Sequence, residues 1–212
     1  MAGLCQGAVV KPTELVLASG NRGKLREISG ILGPLGLVVH PQSDWNVPVA
    51  AEVAPTFIEN ALAKARNAAR HTGLPSLADD SGLVVPSLHG EPGIFSARYA
   101  GESADDRSNM RKLLAALEHQ SGTGRQAYFY CAMVLLKTAD DPTPLMATAC
   151  WHGEILHSPR GDGGFGYDPI FGVRGWQCSA AELDPEQKRR VSHRGLALRE
   201  LVKQLRARDG AC

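Results

Sequence analysis

Four segments of this chain carry residue types that could act on a phosphorylated substrate. The first is Ser19-Gly20-Asn21-Arg22-Gly23-Lys24, between a short apolar run and a helical pattern. Glycine lets a backbone approach an anion, a helix N-terminus offers N–H groups and the positive end of a dipole, and Lys24 adds a full charge. It is not a Walker A loop: two residues separate Gly20 from Gly23, and Leu25 stands where Ser or Thr is required. An ordinary strand-to-helix turn with solvated Arg22 and Lys24 satisfies the same pattern. The second segment is Asp79-Asp80-Ser81-Gly82. Carboxylates there could hold a hard cation through oxygen, and one could take a proton from water. The segment reads equally as an exposed acidic turn. If it is extended, alternation of side chains leaves one aspartate facing a site.

The third segment, Gly161 to Pro169, places four glycines in six positions before Tyr167 and Asp168. Phe165 and Tyr167 could stack on a planar base, and Asp168 could accept hydrogen bonds from its edge. The alternative is a glycine loop with one aromatic plugged into the core. The fourth is Lys188-Arg189-Arg190-Val191-Ser192-His193-Arg194-Gly195. Read as the entry to the last helix, its cations oppose the helix dipole, a conflict that a bound anion relieves. A solvated basic face is the alternative, and Ser192 is a natural N-cap in either case. Upstream lie Glu52, Glu59 and Lys64. Glu59 occupies N3 of a capping box begun by Thr56, which is a structural role. Lys64 either snorkels along an apolar stripe or points into a cleft. Glu52 reads by default as a loop carboxylate.

The elements that must position these residues alternate between strand and helix periods, which argues for an α/β arrangement. Leu15–Ala18 and Leu37–Val39 read as strands. Leu25, Ile28, Ile31 and Leu32 recur at helical spacing. Thr56 opens a helix to about Arg70, closed by Gly73, and the strand-like Leu77-Ala78 and Leu83-Val84-Val85 flank the acidic turn. Ser103, followed by Asp106, starts a helix carrying Met110, Leu113, Leu114 and Leu117. Ala127 to Leu136 is the strongest strand, paired with about Met146 to Trp151 through a turn at Asp140-Asp141-Pro142. A last helix runs from about Gly195 to Arg208. Residues 1–12 form a lead-in, 13–208 one domain, and 209–212 a tail.

Composition limits the partners. The 212 residues are 43% hydrophobic and 21% charged with net charge +1, so no global field favours nucleic acid or an anionic membrane. The chain starts without a signal-like apolar segment, and no run reaches the roughly 20 apolar residues of a spanning helix. Five widely spaced cysteines without a CxxC pair read as reduced thiols of a cytosolic protein rather than disulfides or a zinc site. Together the four segments offer phosphate grips, metal carboxylates, a base-stacking loop and a cationic clamp, a set suited to a nucleoside polyphosphate.

In order along the chain, Ser19–Lys24, Thr56–Ala61 with Lys64-Ala65, Ala78–Leu83, Pro92–Tyr99, Gly163–Pro169 and Ser192–Gly195 resemble the inosine triphosphate pyrophosphatase (Ham1-like) family, in its bacterial dITP/XTP pyrophosphatase form. The likeness covers about residues 13–206. It implies Mg²⁺-dependent hydrolysis of non-standard purine nucleoside triphosphates to monophosphate and pyrophosphate. It also implies a homodimer, and a long mixed sheet flanked by helices in two lobes around a cleft. By the same resemblance Ser19, Gly20, Asn21, Arg22, Gly23 and Lys24 bind the triphosphate, with Lys64 near the phosphates. Asp80 is the metal-binding proton acceptor with Ser81 beside it. Phe165, Gly166, Tyr167 and Asp168 recognise the base, and Lys188, His193 and Arg194 supply the remaining nucleotide contacts. Bacterial relatives often carry paired acids before the Thr-Phe of the helix start. Here the pair reads Ala51-Glu52, which leaves Glu52 as the candidate second metal ligand. The rival functions are a phosphatase releasing orthophosphate and a non-catalytic nucleotide-binding module.

Overall fold

The computed structural model describes residues 13–209, so the lead-in at 1–12 and residues 210–212 of the expected tail lie outside the described residues. A six-stranded sheet with order β2-β1-β3-β4-β5-β6 organises the chain. β1 (Thr13–Leu17) pairs in parallel with β2 (Leu37–Pro41) on one side and with β3 (Ser76–Val84) on the other. From β3 onward, β4 (Gln126–Leu136), β5 (Leu145–Ile155) and β6 (Phe171–Val173) pair antiparallel. The mixed α/β sheet expected from the sequence is therefore present, with longer strands than expected and with β6 in addition.

Helices cover both faces of the parallel end. α1 (Arg22–Leu32) and α5 (His193–Asp209) pack Ile28, Leu32, Leu198 and Leu201 against Leu15, Leu17, Leu77 and Met133. α2 (Phe57–Thr72) packs Ala61, Ala65 and Ala68 on the opposite face, against Val16, Ala78, Ala132 and Val134. Small residues on both surfaces, Ala61, Ala65 and Ala68 against Ala78 and Ala132, let the helix approach the sheet closely. At the far ends of β3, β4 and β5 a second core forms around Leu83, Phe129, Trp151 and Phe171, closed by Leu113 of α3 (Asp106–Ala116). The same strands thus run through two cores.

Local chemistry accounts for the helix ends. Thr56 Oγ1 accepts the Glu59 N–H at 3.3 Å and Gly73 closes α2 at φ 68°, as the sequence indicates. α3 begins later than expected. Its N-cap is Asp105 rather than Ser103, because Asp105 accepts the Ser108 N–H at 2.7 Å while Ser108 Oγ accepts the Asp105 N–H at 3.0 Å. That box is reciprocal, and its carboxylate also matches the dipole.

Two further expectations are corrected. The acidic segment is not a turn: Asp79, Asp80, Ser81 and Gly82 lie inside β3 and pair with Met133 to Tyr130 of β4. Buried cations on both sides of the sheet compensate charges that would otherwise drive the segment to the surface. The basic run does not open the last helix. Lys188, Arg189 and Arg190 form the final turn of a separate helix, α4 (Pro185–Val191), where cations favour the dipole. The electrostatic conflict that suggested a bound anion is absent there. Ser192 then caps α5 by accepting the Gly195 N–H at 3.2 Å. No helix among the described residues is long and apolar enough to cross a membrane. Cys131, Cys150 and Cys178 are free thiols.

Candidate active site

β1 stops at Leu17, whereas β3 continues seven residues past Leu77, the last position at which the two strands pair. Beyond the carboxyl end of β1 the edge of β3 loses its strand neighbour after Leu77, and the Pro92–Ser96 segment meets it again at Leu83 and Val84. α1 leaves β1 along one face of the sheet and α2 enters β3 along the other, so this is the switch point of the parallel segment, where open α/β sheets place their ligands. A cavity of about 430 Å³ opens there. Ser19, Gly20, Asn21, Lys24, Lys64, Ser81, Phe165, Gly166, Tyr167, Asp168, Lys188, His193 and Arg194 line it, together with Glu52. Segments as far apart in sequence as Ser19 and Arg194 therefore converge. Arg22 is exposed, and Gly23 packs beneath the Phe165 ring instead of lining the cavity. The amides at the start of α1 are not open to an anion: Asn21 Oδ1 accepts from Gly23 N at 2.8 Å and Lys24 N at 3.1 Å.

Strand alternation sorts the two aspartates. Asp79 points toward α1 and α5, where it pairs with Lys24 and, at 2.8 Å, with Arg194 Nε, and accepts from Ser81 Oγ at 3.0 Å. Burial pushes its carboxyl up, but Arg194 and Lys24 outweigh burial and hold it well below the usual range. Asp80 points toward α2 and accepts from Lys64 Nζ at 2.6 Å. Here burial wins over Lys64 and the carboxyl is raised. Lys64 Nζ also reaches Glu52 Oε1 at 2.8 Å. Burial disfavours the ammonium, yet Asp80 and Glu52 raise it on balance.

The base-loop residues separate in role. Asp168 Oδ2 accepts from Phe165 N at 2.8 Å and bonds Lys188 Nζ, and burial outweighs Lys188 to raise its carboxyl. Gly164, at φ 72°, has no room for a Cβ, which would fall onto the Asp168 carboxylate. Tyr167 is buried in the second core with its hydroxyl donating to Ser96 O at 2.9 Å, so it is the aromatic plugged into the core rather than a stacking platform. Phe165 remains at the cavity, with Lys188 Nζ 4.8 Å and Arg194 Cζ 5.6 Å from its ring centroid. His193 stacks on Phe129 at 4.8 Å and 12°, and burial and Arg194 keep the imidazole neutral. Its Nδ1 has no partner among the described residues.

Several lining or supporting residues escaped sequence reasoning. Glu27 accepts from Arg194 Nη1 at 2.6 Å and lies 3.5 Å from Lys188 Nζ. Its place three residues after Lys24, on the same side of α1, was a usable signal. Asp106 accepts from Gly166 N at 2.7 Å. Phe129 and Asn109 line the cavity from positions that nothing local marks, and Ser96 lines it from within the Pro92–Tyr99 motif, to which no role was given. Among the described residues no cluster of three or more His, Cys, Asp or Glu could hold a metal.

A model of the Ham1 family matches residues 15–204, nearly the whole described chain. The chain belongs to the Ham1 family. Among its relatives, the "dITP/XTP pyrophosphatase" of Thioalkalivibrio sulfidiphilus is 53% identical over 195 residues, covering 92% of this chain and all of that one. The protein of the same name from Vibrio cholerae is 54% identical over 190 residues, covering 90% and 95%. The solved HAM1 protein of Coxiella burnetii superposes with a TM-score of 0.85 at 48% identity, covering 92% and 99%. The Ham1 resemblance read from six motifs is thus borne out over the length at which it was stated, and so is the α/β fold.

Proposed function

We propose that this Ham1-family chain is a nucleoside triphosphate pyrophosphatase that hydrolyses ITP, dITP and XTP to the monophosphate and pyrophosphate. The observation that carries the proposal is the convergence of the phosphate loop, Lys64, the glycine loop and His193-Arg194 on one cavity at the switch point, with Asp80 one hydrogen bond behind the Lys64 ammonium. Relatives about half identical over nearly their full length bear the name of that activity.

The charges of the site favour entry of the substrate with a divalent cation. Lys24 is paired with Asp79, Lys64 with Glu52 and Asp80, Lys188 with Asp168, and Arg194 with Asp79 and Glu27. None of these cations is in surplus for a triphosphate. Glu52 Oε1 and Asp80 Oδ1 already converge on one cationic centre, the Lys64 ammonium. A pair of carboxylates completed by substrate phosphates is how Mg²⁺ is commonly held, so these two residues fit it. Mg²⁺ bound there would neutralise phosphate oxygens.

The chain's own groups do the rest. Asp80 accepts the proton of the water that attacks the α-phosphorus, and the α–β bridging bond breaks with pyrophosphate leaving. Lys24 and Lys64 stabilise charge on the phosphate oxygens. Phe165 packs on the base, and neutral His193 and Arg194 stand at its edge. A site that donates to a 6-oxo group leaves a buried donor unpaired when an adenine amino group arrives. The resemblance further implies a homodimer, which light scattering on the full chain tests. The decisive assay is phosphorus NMR of ITP, XTP, dGTP and ATP with the protein and Mg²⁺. Pyrophosphate from ITP and XTP is expected; orthophosphate, or binding without turnover, would favour the rival functions.

A further inference from the structure

The motif Pro92–Tyr99 is fixed on three sides, yet it has no role so far. Ser96 Oγ accepts from Leu83 N of β3 at 2.9 Å and donates to Gly93 O at 2.6 Å. Ser96 O receives the Tyr167 hydroxyl of the glycine loop at 2.9 Å. Asn109 of α3 holds Ala97 O at 3.1 Å and Ala100 N at 2.8 Å. A Cβ at Gly82 would collide with Gly93 O and Ser96 Oγ, so β3 and this segment lie backbone to backbone.

From the end of this strut Arg98 reaches the loop that carries Glu52. That loop, residues 47–56, has no helix or strand, and its Val49 and Val53 are each 88% exposed, so beyond the buried Val47 at its start apolar burial does not anchor it. Polar tethers do. Asn60 binds Ala54 N at 3.0 Å and Ala54 O at 3.2 Å, and Asn67 binds Pro48 O at 2.7 Å. Those tethers grip backbone on either side of Glu52. Arg98 grips Glu52 itself, with Nη1 at 3.3 Å from Oε2 and Nη2 at 3.3 Å from the backbone carbonyl. The other carboxylate oxygen, Oε1, is left facing Lys64 Nζ and the cavity. The guanidinium meets the two acceptors with separate nitrogens of one rigid plane, which fixes the orientation of the carboxylate; a lysine ammonium is a point charge on a flexible stem.

We propose that Arg98 is a positioning residue for Glu52 that sets the affinity of the site for its divalent cation without touching metal or nucleotide, an inference that rests on Glu52 and Asp80 being the metal ligands. Loss of the fork frees Glu52 to swing out with its loop. Residues that orient metal ligands change metal affinity by about 10–100-fold when replaced.

The test uses the full chain and Mn²⁺ alone, with free Mn²⁺ read by electron paramagnetic resonance. Arg98→Lys keeps the charge and removes the fork, so the Mn²⁺ Kd should rise about tenfold. Unchanged affinity in Arg98→Lys overturns the proposal. So does tighter binding in Arg98→Met with no change in Arg98→Lys, which would mean that the arginine acts only as a competing charge. Glu52→Gln in the same titration separates the two layers. If it leaves Mn²⁺ affinity unchanged, the metal reading fails and the proposal with it. If it weakens binding while Arg98→Lys does not, the proposal alone fails. A second readout is rescue: saturating Mg²⁺ should restore ITP turnover by Arg98→Lys to the wild-type rate, whereas a merely structural defect would persist. Should Arg98→Lys fail to fold, Arg98→Gln carries the same titration.

Discussion

Asp79 and Asp80 are neighbours of identical chemistry, and the structure predicts opposite consequences when each becomes asparagine. Asp79 is fully buried between Lys24 and Arg194. Neutralising it leaves Lys24 facing an amide and Arg194 with Glu27 as its remaining carboxylate partner beside the Ser81 hydroxyl. Breaking a buried pair from one side costs about 3–5 kcal/mol. For a chain of this size each kcal/mol moves the midpoint by about 2–4 °C, so Asp79→Asn should melt about 6–20 °C lower. Asp80 differs because burial already disfavours its charge more than Lys64 favours it. After Asp80→Asn, Lys64 keeps Glu52 at 2.8 Å, so no cation is stranded. Its stability should stay within about 1 kcal/mol of wild type, while loss of the proton acceptor lowers turnover by about 10²–10⁴-fold. Scanning fluorimetry and pyrophosphate release on the two variants check both. The sign with pH follows from Asp79's depressed pKa. Its stabilisation is present above the ordinary carboxylate range and is lost as pH falls through that range toward the folded value. The gap in midpoint between wild type and Asp79→Asn should therefore be widest near neutrality and close in acid. Equal melting losses for the two variants, or near-normal turnover by Asp80→Asn, would refute the division of labour.

Other outcomes follow from the same geometry. Lys24→Ala removes a charged partner of the phosphates worth about 1.5–3 kcal/mol, so KM for ITP should rise by about one to two decades, with some loss of stability because Asp79 loses a cation. Gly82→Ala forces a methyl against the Gly93 carbonyl and Ser96, and should cost about 1–3 kcal/mol in denaturant titration; a neutral result would mean that β3 and the strut are not in close contact.

The elements with strong periodicity were legible in the sequence. Local rules governed them: Thr56 and Gly73 bound α2, Leu25 to Leu32 mark α1, and the apolar run of β4 stands out because its neighbours are polar. The ordered motifs also sufficed for the Ham1 family and for naming most of the residues around the cavity. What local rules could not supply was charge compensation across distance. Asp79-Asp80 reads as a surface turn until α1, α2 and α5 bring Lys24, Lys64 and Arg194 against it; only then is a strand with adjacent buried carboxylates affordable. Tyr167 and Phe165 look alike in sequence, and only the fold shows the first packed in the core with its hydroxyl on Ser96 O and the second left at the cavity. Glu27 and Arg98 act through partners 167 and 46 residues away, a relation no window along the chain contains. Sequence therefore determined which segments form and which family they belong to. Tertiary structure decided which charges meet, because the free energy of a buried charge is set by neighbours in space.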